Sequence, residues 1–185
     1  KVFENLLASY NPETQQTARK QTGSFYTPRE IVQYMVDESL VTHLKRTVGN
    51  ELESEYRKLL DYADNEILLT EQQKLAIMQS LYNCKILDPA CGSGAFPVGV
   101  LQQMVHILKQ IDPDNSRWKN MLLQFAIDET SEAYLNSTAE ERREAVADIE
   151  RAFDENVNYP DYARKLHLIE NCIYGVDIQP IAIQI

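Results

Sequence analysis

A nine-residue turn holds the strongest chemical signal in this sequence. It reads Asp88, Pro89, Ala90, Cys91, Gly92, Ser93, Gly94, Ala95 and Phe96. Glycine at positions 92 and 94 permits positive φ angles and lets a ligand approach the backbone closely. An apolar run from Lys85 to Asp88 precedes the turn and helical periodicity follows it to Ile111, which predicts a strand, a tight turn and a helix. Ligands of open α/β sheets bind at the carboxyl end of such a strand.

A second segment combines an aromatic pair with the start of a helix. Phe25 and Tyr26 precede Thr27, Pro28, Arg29 and Glu30, which have the pattern of a capping box with proline at the first helical position. The spacing predicts a helix from about residue 28 to 48, and its first-turn N–H groups would suit a carboxylate. An ordinary capped helix with two core aromatics is the alternative interpretation.

A third segment ends a predicted strand on an acid. The strand runs from Ile173 to Asp177, and Ile178 follows it. The Asp177 carboxylate can accept hydrogen bonds from two ribose hydroxyls, and an aliphatic side chain beside it can pack on an adenine ring. Taken alone, a strand-end aspartate is more often a helix cap or a turn former.

Helices must position these segments. Periodicity predicts a short helix through Tyr10, and Thr70 with Gln73 predicts a capping box. The other predicted helices cover residues 51 to 63, 118 to 127, 139 to 153 and 162 to 171, with one more beginning at Pro180. Two strands do not complete a doubly wound sheet, so the chain is expected to be a piece of a larger α/β protein.

Composition excludes several classes of protein. The 185 residues are 44% hydrophobic and 25% charged, with no apolar run long enough for a membrane helix and no secretory signal, so a cytoplasmic protein is expected. A net charge of −10 argues against a main DNA-gripping surface. Residues 127 to 155 alone hold ten acidic side chains against three arginines, typical of a solvated face. The cysteines and histidines lack metal-ligand spacing, so neither a metal site nor a disulfide is expected.

In their order along the chain, the three segments resemble motifs X, I and II of the adenine-N6 DNA methyltransferases. The sequence around the third segment is most similar to that of the large methyltransferases of type IIG restriction-modification and BREX phage-defence systems. A dinucleotide-binding fingerprint would place a third glycine where Pro97 stands. The resemblance implies an α/β, partial Rossmann-like fold with a large share of helix. Residues 1–84 would be a helical segment with motif X, and 85–185 the start of the methyltransferase domain with a helical insertion at about 113–171.

The resemblance also implies a cofactor and its contacts. The cofactor is S-adenosyl-L-methionine, and Thr27 would bind its carboxylate. The implied binding residues are Phe25, Tyr26, Thr27, Pro28, Asp88, Pro89, Ala90, Cys91, Gly92, Ser93, Gly94, Phe96, Asp177 and Ile178. No catalytic residue is expected here, because the family's (Asp/Asn/Ser)-Pro-Pro-(Tyr/Phe) tetrapeptide does not occur in the sequence. Double-stranded DNA would be held mainly by regions outside this chain, with other restriction or defence subunits as further partners.

Two other functions remain open from the sequence. Methyltransferases that act on protein glutamine or on RNA share the glycine turn, although motif X placed before motif I disfavours them. A non-catalytic helical interaction module that keeps a relic of the turn is the other hypothesis, with the acidic insertion as its support.

Overall fold

The computed structural model describes residues 10–11, 16–17, 27–128, 135–154, 159 and 161–177. Within these residues the chain is mainly helical, with two small sheets. The helices are α1 (Arg29–Thr47), α2 (Glu53–Leu60), α3 (Glu71–Tyr82), α4 (Ala95–Ile111), α5 (Ser116–Ile127), α6 (Ala139–Ala152) and α7 (Tyr162–Asn171), with a 3-10 turn at Asn50–Leu52. The strands are β1 (Tyr10–Asn11), β2 (Gln16–Thr17), β3 (Ile86–Asp88) and β4 (Ile173–Gly175).

The helices predicted between residues 28 and 171 are confirmed, with small shifts at their ends. The short helix predicted through Tyr10 is wrong at that residue, because Tyr10–Asn11 pairs antiparallel with Gln16–Thr17. A residue before proline is driven towards extended angles, and Asn11 precedes Pro12. The helix predicted from Pro180 lies outside the described residues.

The capping box predicted at Thr27 is also wrong. Helix α1 begins one residue later, with Pro28 at its N-cap and no side chain capping the first turn. The amides of Ile31 and Val32 both donate to the Pro28 carbonyl, at 3.0 Å each. Thr27 therefore lies outside the cap position, and its hydroxyl cannot serve the third helical amide.

One apolar core holds the first five helices together and includes Leu168 of α7. Its fully buried side chains include Val36, Leu40, Leu44, Tyr56, Leu59, Ile77, Met78, Leu81, Val100, Met104, Ile107, Leu108 and Trp118. Helix α4 lies against α1, and a glycine makes this close approach possible. A Cβ atom at Gly99 would lie 3.3 Å from both Val32 Cγ1 and Val36 Cγ2. One turn later, Gln103 Nε2 donates to Asp37 Oδ1 at 2.8 Å.

Strands β3 and β4 form a parallel pair in which Ile86, Leu87 and Asp88 face Ile173, Tyr174 and Gly175. The paired side chains of Leu87 and Tyr174 are exposed, while Ile86 and Ile173 pack against the core. The pair therefore covers one face of the sheet with core residues and leaves the other face open among the described residues. Since parallel strands point the same way, their carboxyl ends lie side by side.

A buried ion pair joins the end of α4 to α7, within the segment between the strands. Asp112 follows α4 and Arg164 lies in α7, and both side chains are fully buried. Arg164 Nη2 lies 2.6 Å from Asp112 Oδ2, and the same carboxylate accepts the amides of Arg117 and Trp118 at 3.1 and 3.0 Å. Helix α6, by contrast, has no buried residue. The solvated acidic face predicted within residues 127 to 155 is confirmed for α6.

Capping boxes begin helices α3 and α6. Thr70 with Gln73 forms the predicted one, and Thr138 with Glu141 forms the other. In the second box the Thr138 amide donates to Glu141 Oε2 at 2.6 Å. Hydrogen bonds from the Thr138 backbone and hydroxyl hold the pKa of the Glu141 carboxyl below its ordinary value of 4.5. The box at α3 uses a neutral amide in the same position, so only the box at α6 depends on a titrating group.

We expect the start of α6 to loosen in acid. A carboxyl with a lowered pKa in the folded chain contributes stability above its unfolded pKa and loses it as the pH falls through the folded value. The amide signal of Thr138, followed by NMR, should therefore titrate with a midpoint below 4.5. In Glu141→Gln the cap remains and this titration should vanish. A midpoint at or above 4.5 in the unsubstituted chain would contradict the charged cap.

Candidate functional site

The predicted nine-residue turn joins β3 to α4 at the edge where β4 also ends. Gly92 and Gly94 have φ angles of 53° and 84°, in the left-handed region that favours glycine. The Ala90 amide donates to Asp88 Oδ1 at 3.1 Å, and the Gly94 amide donates to the Cys91 carbonyl at 2.8 Å. These bonds fold the backbone into a compact turn above the end of β3.

Open space lies beside both glycines. Among the described residues, a Cβ atom at Gly92 would meet no atom within 4 Å, and one at Gly94 would lie 4.0 Å from Val98 Cγ2. Packing against the described protein therefore does not require glycine here. The backbone conformation does, and it leaves room for a ligand to lie against the turn.

Three hydrogen bonds join the turn to the end of β4. The Val176 amide donates to the Asp88 carbonyl at 2.9 Å, and the Cys91 amide donates to the Val176 carbonyl at 3.0 Å. The Gly92 amide donates to Asp177 Oδ2 at 2.9 Å, although the two residues are 85 positions apart. The fold thus brings the glycine turn and the strand-end acid, predicted separately, into direct contact. We call these three bonds the clasp.

Helix α4 begins directly after the glycine turn, so its first backbone amides lie beside the turn. Gly94 is the N-cap, no side chain caps the first turn, and no acidic residue lies in that turn. Pro97, the third residue of the helix, has no N–H group to satisfy. Unopposed amides at a helix start carry a partial positive charge, which favours an anionic group of a ligand.

The structure describes two of the residues predicted around the aromatic pair. Thr27 and Pro28 are exposed at the start of α1. Phe25 and Tyr26 lie outside the described residues, as does Ile178.

The other predicted positions divide between surface and interior. Pro89, Ala90 and Ser93 are exposed, whereas Asp88, Cys91 and Asp177 are half-buried. Phe96 packs against the core from the first turn of α4. The exposed positions line the surface of the turn, while Phe96 anchors it.

Sequence reasoning missed one residue at this site. Gly175 is the last residue of β4, and a Cβ atom there would lie 3.0 Å from Cys91 Sγ. An isolated glycine within a strand pattern can mark a close approach of another backbone, which was the available signal.

Other reactive side chains have structural roles. Burial, together with the neighbouring Cys172, raises the pKa of Cys84 to about 11, and burial also raises the pKa of Cys172. Both thiols therefore stay protonated at neutral pH. Burial lowers the pKa of His167, whose Nε2 lies 3.2 Å from the Tyr82 carbonyl. Within the described residues no group of three metal-ligating side chains converges.

An open groove of about 700 Å³ lies elsewhere, beside α1 and the end of α2. Its lining includes Arg29, Asp37, Arg57 and Tyr62, and none of its lining residues belongs to the turn or to β4.

Across the described part of the chain, no helix has the length and apolar character needed to cross a membrane.

Comparison with known proteins gives one distant similarity. A curated protein of Methanocaldococcus jannaschii named "Putative type II restriction enzyme and methyltransferase" is 25% identical to this chain over 196 aligned positions. The alignment covers the whole chain but 12% of that protein. No family model and no solved structure matches the chain. The chain is therefore distantly similar to one segment of a protein named for both restriction and methyl transfer.

Proposed function

We propose that this chain is the S-adenosylmethionine-binding part of a DNA adenine-N6 methyltransferase of a restriction-modification or phage-defence system. The carrying observation is the 2.9 Å hydrogen bond between the Gly92 amide and the Asp177 carboxylate. It puts a ligand-accessible glycine turn and a strand-end acid at one edge of a parallel strand pair. A nucleoside with a charged tail needs such an arrangement, with one end at each feature.

The described residues suit the chemical groups of this cofactor. Its ribose hydroxyls are hydrogen-bond donors, and a carboxylate such as that of Asp177 can accept their hydrogen bonds. Its methionine part can lie on the open side of Gly92 and Gly94, where the described residues come no closer than 4.0 Å to an added Cβ atom. Its carboxylate matches the uncapped start of α4, which presents amide donors without an acidic neighbour in its first turn. When bound, the cofactor supplies an electrophilic methyl group.

The proposed fold is the Rossmann-like one, of which β3, α4 and β4 would be the first strand, first helix and second strand. A parallel sheet normally has both faces covered. The exposed pair Leu87 and Tyr174 fits a sheet that other segments complete. The net charge of −10 fits a chain that binds the cofactor, while other parts of the protein bind the DNA phosphates.

The residues of this chain would bind and orient the cofactor, and other residues would hold the base. The sequence contains no Pro-Pro pair, so the polar-Pro-Pro-aromatic element that holds a flipped adenine would come from elsewhere in the protein. Transfer would then depend on alignment of the adenine amine with the methyl group.

Methyl transfer by the full-length protein tests this proposal. The protein is incubated with S-adenosylmethionine carrying a labelled methyl group and with mixed-sequence duplex DNA, and the digested DNA is analysed for N6-methyladenine. We expect label in N6-methyladenine. Parallel incubations with RNA and with a glutamine-bearing protein separate the other acceptors, since label confined to either would refute the DNA assignment. Absence of measurable cofactor binding by calorimetry would instead favour a non-catalytic module.

A further inference from the structure

We infer that Gly175 is a positioning residue, whose missing side chain lets the end of β4 close on Cys91 and so sets Asp177 against the glycine turn. This inference rests on the proposed function, since Asp177 and the turn are its two proposed cofactor contacts. Gly175 touches neither by a side chain of its own. Gly175 would contribute by setting the distance between Asp177 and the glycine turn.

The geometry leaves no room for a methyl group at this position. A Cβ atom at Gly175 would lie 3.0 Å from Cys91 Sγ and 3.1 Å from Cys91 Cβ. The thiol can rotate away, but the Cβ atom is fixed to the Cys91 backbone. A methyl group here therefore pushes the two backbones apart.

The displaced backbone would carry the clasp with it. The hydrogen bonds of the clasp lie next to this contact. Val176 and Asp177, which follow Gly175, bond to Asp88, Cys91 and Gly92 in the turn. Each of these hydrogen bonds is between 2.9 and 3.0 Å long. A shift of a few tenths of an ångström would lengthen them and move the Asp177 carboxylate away from the turn.

Gly175 differs from the two glycines of the turn in the reason for its presence. Gly92 and Gly94 need glycine for their positive φ angles, whereas Gly175 is not among the residues with positive φ. Alanine can adopt the backbone conformation of Gly175. The close contact with Cys91 is what excludes it, so removal of the Cys91 side chain should restore tolerance.

A double-variant cycle in the full-length protein tests this coupling. Calorimetry gives the dissociation constant for S-adenosylmethionine in the wild type, Gly175→Ala, Cys91→Gly and the double variant. We expect Gly175→Ala to weaken binding about tenfold, as overpacking of a close contact does. In the Cys91→Gly background the same substitution should weaken binding less than about twofold, because its clash partner is gone.

Gly99→Ala provides the matched control. It adds the same methyl group at a close helix contact, where the neighbours are Val32 and Val36 rather than Cys91. Whatever its own effect, Cys91→Gly should not change it. Equal losses for Gly175→Ala with and without Cys91 would overturn the inference.

The outcomes separate this inference from the proposed function. A wild-type protein that binds no S-adenosylmethionine refutes the proposed function. A wild type that binds, with Gly175→Ala at wild-type affinity, refutes the inference alone. If Gly175→Ala does not fold by circular dichroism while the double variant folds and binds, the contact with Cys91 is supported. If neither folds, this contact is not the constraint, and the inference is wrong.

Discussion

Replacing Arg164 with methionine is expected to lower the free energy of unfolding by about 3–5 kcal/mol, the loss typical of breaking a buried ion pair. The substitution removes the buried cation from the fully buried Asp112 carboxylate, whose other cationic neighbour is the half-buried Arg117 Nη1 at 3.8 Å. Two backbone amides still donate to that carboxylate, but they do not neutralise its charge. Chemical denaturation followed by circular dichroism measures the change.

An exposed pair on α6 provides the control for that measurement. Arg151 Nη1 lies 3.0 Å from Asp148 Oδ1, and the two side chains are 72% and 60% exposed. Arg151→Met should therefore change the free energy of unfolding by about 0.5 kcal/mol or less, as solvent-exposed pairs do. If Arg164→Met lowers stability no more than Arg151→Met, the buried pair is not what fastens α7.

Replacing Asp177 with alanine is expected to weaken S-adenosylmethionine binding by about 100-fold or more. The proposed role gives this carboxylate two hydrogen bonds from the ribose, and hydrogen bonds to charged groups contribute about 1.5–3 kcal/mol each. Asp177→Asn keeps one acceptor oxygen, so a loss of about tenfold is expected. Calorimetric titration of the full-length variants gives both values.

The fold of these variants needs a separate check, because the Gly92 amide also loses its acceptor. Circular dichroism and denaturation midpoints close to the wild type would show that the loss is one of binding. Asp148→Ala removes an acid from the exposed surface of α6 and should leave the affinity unchanged. Wild-type affinity in both Asp177 variants would remove Asp177 from the cofactor site.

The local part of the fold could be predicted from the sequence. The capping pair Thr70 and Gln73 starts α3 as predicted, because both partners lie within one turn of each other. The strand, turn and helix around Gly92 follow from periodicity and glycine placement in the same way. The start of α1 was misplaced by one residue, since Thr27 and Pro28 satisfy the sequence pattern equally well whether the proline is the cap or the first helical residue.

Long-range pairing could not be predicted from the same signals. Arg164 and Asp112 are 52 positions apart, and in the sequence each belongs to a run of ordinary surface charges. The contact between Gly175 and Cys91 depends on the parallel pairing of two strands, which periodicity cannot assign. The meeting of Gly92 and Asp177 was expected only from the resemblance to a methyltransferase family, and the structure brings these two residues into contact.

The clasp closes a loop that contains α4 to α7, four of the seven described helices, and this has a consequence for how the chain folds. We expect its hydrogen bond between residues 85 positions apart to form late in folding, because closing a long loop costs entropy that local helical contacts do not. A small molecule that spanned the glycine turn and Asp177 would act as a staple across this loop. It would bind only the completed native state, so that its concentration would control the melting temperature of the whole unit.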